Sequence, residues 1–135
     1  MIPLSTEERV TLVCTADDDV KVKRKKPYRM VPIQEVEING GVPLSFVVRT
    51  LNSREQMRFL GMIQGGDVTE TTIAALDMGV LEVAGINEET GKKFHMSDPV
   101  EVREIMKDVP CSIQTLIGAW ITDNSWGNDP LVKKK

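Results

Sequence analysis

The chain has little of what enzymes and metal proteins are usually built from. It holds one histidine, His95, and two cysteines, Cys14 and Cys111. A catalytic triad or a histidine general base would have to use His95. No G-x-S-x-G stands near it, and no carboxylate lies at a diagnostic spacing. There is no C-x-x-C, no H-x-x-x-H and no D-x-D-x-D-G loop, which excludes zinc and calcium sites of the usual spacing. Asp17-Asp18-Asp19 reads as a solvated acidic turn, because calcium loops space their ligands. Gly40-Gly41 and Gly65-Gly66 lack the spacing that wraps phosphates and read as turns. The two cysteines lie far apart and read as reduced thiols in a cytosolic protein. No apolar run approaches the roughly 18 residues of a membrane span. The first residues, MIPLSTEER, lack the charged and apolar regions of a signal peptide. No cofactor and no metal is expected, and surface contact is left as the mode of action.

What is present is charge of two kinds, kept apart. The net charge of −3 conceals a split along the chain. Residues 21–29, KVKRKKPYR, carry six basic groups, and Lys133 to Lys135 close the sequence. Between them, residues 30–132 carry seven Lys or Arg against fifteen Asp or Glu, a balance of −8. An acidic body repels phosphate backbones, so nucleic acid is not the expected partner. The basic run is the one exception. Lys23, Arg24, Lys25 and Lys26 could meet phosphates, with Tyr28 to stack on a base. One aromatic is thin support for a stacking platform, so the favoured reading is a solvated linker or edge segment over 16–29, where lysines deter edge-to-edge pairing; the run could also meet an acidic partner.

At 135 residues the sequence predicts one domain, 1–135, with a flexible tail over 127–135. The fold class expected is α+β, mainly helical: about five short helices with one β-hairpin near residues 30–50. Ser5-Thr6-Glu7-Glu8 has the capping-box pattern and predicts a helix over about 6–15, ended by the acidic run. Asn39-Gly40 between two β-rich runs predicts the hairpin, with Leu44, Phe46 and Val48 on one face. Pro32 and Pro43 make its strands edge-like. Asn52-Ser53-Arg54-Glu55 opens a second helix to about Gln64, with Phe59, Leu60 and Ile63 inward. Residues 69–84 read as a third, on the spacing of Ile73, Leu76, Val80 and Val83. Ser97-Asp98-Pro99 starts a fourth, and Pro110 stops it and starts the last. Ile113, Leu116, Ile117, Trp120 and Ile121 form the last helix's apolar stripe. Leu116, Trp120 and the more terminal Trp126 are the candidate contact residues on it, since exposed tryptophan often anchors partners. The stripe as a whole reads as core.

The C-terminal third resembles tail assembly chaperones of long-tailed bacteriophages. The resemblance rests on the turn Asn87 to Phe94, the capped helix Ser97 to Asp108, and the amphipathic helix Pro110 to Ser125. PLSFVVRTLNSREQMRFL is similar to the extended segment and helix near the start of such proteins, which extends the match to residues 43–125. The basic run and the Asn-Gly hairpin depart from it. The resemblance implies a non-enzymatic protein of the host cytoplasm. It would bind the tape measure protein, keep its apolar stripes from aggregating, and help recruit tail tube protein, with homo-oligomerisation open. It also makes Lys133-Lys134-Lys135 a candidate frameshift site, because lysine codons are A-rich. Two alternatives stand beside it: a structural virion component such as a neck or tail-completion protein, and a small nucleic-acid-binding regulator using residues 21–29.

Overall fold

A computed structural model describes residues 8–66 and 68–127, the last two by their backbone alone. Seven strands and four α-helices follow one another along these residues. The strands are β1 (Arg9–Cys14), β2 (Val20–Lys21), β3 (Met30–Pro32), β4 (Glu37–Ile38), β5 (Ser45–Arg49), β6 (Val80–Ile86) and β7 (Lys93–Met96). The helices are α1 (Ser53–Gln64), α2 (Val68–Gly79), α3 (Pro99–Met106) and α4 (Cys111–Gly127). Five strands form one antiparallel sheet in the order β3-β1-β5-β6-β7, and β2 and β4 form a second, smaller one.

This overturns the expectation of about five helices with one hairpin. The reasons are local and physical. The segment expected as a first helix is strand β1. Val10, Thr11 and Val13 are β-branched, stiff at χ1, and fit a pleated surface better than a helix. The residues that suggested its cap, Ser5 to Glu7, lie outside the described residues. The Asn39-Gly40 turn does form, with Gly40 at φ +79°, but it joins no hairpin. β3 and β5 both pair with β1 instead, as Leu12↔Pro32 and Leu12↔Phe46 show. The third helix ends at Gly79, and the chain continues as β6. A Cβ at Gly79 would lie 2.6 Å from Ile121 Cδ1, so any larger residue here would force Ile121 to shift where α2 and α4 cross closely.

Helices α1 and α3 start where their caps place them. Asn52 Oδ1 accepts from the Glu55 amide at 2.9 Å, and Glu55 Oε1 accepts from the Asn52 amide at 3.0 Å. Such a cap contributes about 1 kcal/mol. Asp98 caps α3 through the Val100 and Glu101 amides, with Pro99 at the first position. Arg49 at the end of β5 then grips Glu55 with both nitrogens, at 2.7 and 2.6 Å, which fixes α1 to the sheet.

One face of the large sheet carries the helices. Leu12, Phe46, Val48 and Val83 meet Leu76, Val102, Ile117 and Ile121 in a single buried cluster. Val13 points to the other face by strand alternation, and it is fully buried too. Among the described residues, no helix is long and apolar enough to cross a membrane.

Candidate functional site

The helical layer does not close over itself. Helix α2 stands as a ridge between two open grooves. One groove, about 440 Å³, runs between α2, α3 and α4. Its apolar floor is Leu76, Val80, Val102 and Met106, and Ile73 forms one lip. Charges of both signs stand at the rim: Asp77 on α2, Arg103 on α3 and Lys107 just after it. Gln114 sets the end of this groove. Its Nε2 donates to Met106 O at 2.7 Å and Val109 O at 2.8 Å, satisfying carbonyls at the end of α3 and holding the α3–α4 corner. Ile73 is 50% exposed, a large apolar side chain that the fold leaves at a groove edge.

The second groove, about 360 Å³, lies on the other side of α2, against α1 and α4. Phe59, Ile63 and Val68 supply apolar walls, and Gly118, Ala119 and Thr72 give a floor of small side chains. Val68 is 78% exposed. Met57 and Met62 lie exposed on α1 near the same region of sequence, and methionine adapts its shape to varied partners. Grooves of this form suit helix-in-groove recognition, with apolar anchors inside and charges at the rim.

The basic run is a built loop. Fully buried Thr15 holds its root: the hydroxyl donates to Lys25 O at 2.9 Å and accepts from the Arg29 amide at 3.1 Å. Arg29 folds back, donating to Arg24 O and Pro27 O, and Lys25 Nζ donates to Asp17 O. The Lys26–Pro27 peptide is cis. Two of the basic groups thus brace the loop itself, while Lys21 pairs with Glu37 at 3.8 Å. Lys23, Arg24 and Lys26 are exposed, and Lys26 Nζ sits 6.0 Å from the Tyr28 ring centre. The acidic turn is ordered as well. Asp17 accepts from the Asp19 and Leu44 amides, which ties it to the start of β5.

The candidate contact residues are therefore not brought together. Lys23, Arg24, Lys25 and Lys26 stand on the loop between β2 and β3. Leu116 and Trp120 are half-buried on α4 and pack against the core. The side chain of Trp126 and residues 128–135, with the terminal lysines, lie outside the described residues. His95 pairs with Glu82 on the neighbouring strand at the sheet surface. Among the described residues, no group of three or more His, Cys, Asp and Glu is placed to hold a metal ion. Sequence patterns missed the grooves, because each is assembled from three helices that come from both sides of the β6–β7 segment. Ile73 gave no separate signal, because it falls on the same helical stripe as buried Leu76 and only packing leaves it half-exposed.

Comparison with known proteins places the chain beside none of them: no family model, no curated protein and no solved structure matches it.

Proposed function

We propose that this chain is a non-enzymatic assembly chaperone of a long-tailed bacteriophage, acting in the host cytoplasm on the tape measure protein before the tail tube forms. The observation that carries this proposal is the α2 ridge with an open apolar groove on each flank. A tape measure protein is long and largely helical, with apolar stripes that aggregate when left bare. An amphipathic helix lays its apolar face into a groove of the α2–α3–α4 kind, and its polar flanks meet Asp77, Arg103 and Lys107. Exposed Ile73 then supplies the anchor at the lip. The resemblance of residues 43–125 to tail assembly chaperones gives the partner its identity, and recruitment of tail tube protein follows from it.

Co-expression tests the proposal. The tape measure protein of the same phage should shift from the insoluble to the soluble fraction when this chain is present. Mass spectrometry of purified virions should find the chain absent or scarce. An unchanged insoluble fraction contradicts the proposal, and a stoichiometric amount in virions favours a structural neck or tail-completion component instead.

A further inference from the structure

A third concavity shares no lining residue with the helical grooves. It is an open cleft of about 800 Å³ between the acidic turn, the β6–β7 turn and the end of α3. Its floor is apolar, with Leu44, Ile86, Phe94, Ile105 and Val109. Its walls carry five carboxylates: Asp17, Asp19, Glu88, Glu89 and Asp108. No lysine or arginine lines it. A cleft with an apolar floor and walls of one charge sign selects a cationic segment that also brings an apolar anchor.

The same molecule displays such a segment. The loop after β2 projects Lys23, Arg24 and Lys26 beside Tyr28, which is 48% exposed. Its root is fixed by Thr15, so little ordering entropy is lost when it docks. The loop and the cleft also share a border. Lys25 Nζ donates to the carbonyl of Asp17 at 3.2 Å, and Asp17 lines the cleft. Adjacent patches of opposite sign are what a two-fold interface needs, because one symmetry axis then makes both contacts at once.

We propose that two copies of this chain pair about a two-fold axis, each seating its basic loop in the acidic cleft of the other. Tyr28 meets the apolar floor, and Lys23, Arg24 and Lys26 meet Glu88, Glu89 and Asp108. The pairing uses surfaces apart from the helical grooves and does not depend on the chaperone function.

Sedimentation velocity over a salt series tests it on the wild-type chain. A dimer should form at about 50 mM salt and weaken by at least about tenfold in dissociation constant toward 0.5 M, because screening shortens the reach of exposed charges. The triple reversal Lys23→Glu, Arg24→Glu, Lys26→Glu should be monomeric, as should Glu88→Lys, Glu89→Lys, Asp108→Lys. A mixture of the two variants should form a heterodimer, since both contacts are complementary again. Wild-type chain that stays monomeric at every salt concentration overturns the proposal, including the case where it retards an oligonucleotide while monomeric. So does a dimer indifferent to both reversals, or an assembly of more than two copies.

Discussion

The backbone amide of Leu51 donates to the Ser125 hydroxyl at 2.7 Å, a buried bond between groups 74 residues apart. The same hydroxyl donates to Ile121 O at 2.5 Å within α4. Gln56 completes the junction, its Nε2 donating to Leu51 O and Ser125 O. The end of β5, the first turns of α1 and the last turns of α4 are thus locked at one point. That point holds α1 and α4 as walls of one groove.

Ser125→Ala leaves the Leu51 amide buried without its acceptor. Such an orphaned donor costs about 1–3 kcal/mol. Urea unfolding should show a lower midpoint with an unchanged slope. An unchanged midpoint means that the junction is not set by this bond.

Two glycines should respond to alanine in opposite directions. At Gly79 the new methyl meets Ile121 Cδ1 at 2.6 Å and the Arg49 carbonyl at 3.3 Å, so overpacking should destabilise by about 1–3 kcal/mol. At Gly61, inside α1, it meets nothing within 4 Å. There the gain in helix propensity should stabilise by about 0.5–1 kcal/mol. Thermal unfolding of both variants checks the pair, and a shift of the same sign in both contradicts the packing described here.

The Glu55 carboxyl is held below its ordinary range, first by the hydrogen bonds from Arg49, with the Asn52 amide adding to them and partial burial opposing them. Its folded-state value lies below its unfolded one. The stability it contributes is therefore fully present above the unfolded value of 4.5 and is lost as pH falls through the folded value. Glu55→Gln should flatten stability against pH below about 4.5 relative to wild type, while lowering stability at neutral pH. Parallel curves for the two proteins in acid speak against the Arg49–Glu55 link.

The thiols should differ sharply. Cys111 is exposed at the start of α4, and Cys14 is buried in β1. One equivalent of thiol should react with an aromatic disulfide reagent in the native state, and the second only in denaturant. Two fast equivalents contradict the placement of β1 in the core.

Local chemistry was legible in the sequence where it is self-contained. The caps at Asn52 and Asp98 need only residues within one turn, so α1 and α3 begin as expected. The turn at Asn39-Gly40 was equally legible, but its strands pair with β1 and β2, which lie earlier in the chain. Turn chemistry fixes a reversal without naming the partner strand. At Val80 and Val83 the helical spacing continues past the true end of α2, whereas both residues pair with β5 in the sheet, a long-range contact that local spacing does not show. The grooves depend on how α2, α3 and α4 converge, which is a tertiary property. The folding of Arg29 and Lys25 back onto the loop likewise depends on Thr15, which composition alone does not single out.

On the proposed function, the groove beside α2 receives an amphipathic helix of the tape measure protein. Calorimetric titration with helical peptides from that protein tests it most directly, using wild type and Ile73→Asp. Half-exposed Ile73 is not part of the buried core cluster, so this variant should still fold, which its circular dichroism spectrum checks. At least one peptide should bind wild type, and the variant should bind it at least about tenfold more weakly, a loss of roughly 1.4 kcal/mol. Equal affinity in the two proteins, or no binding by any peptide, contradicts the claim.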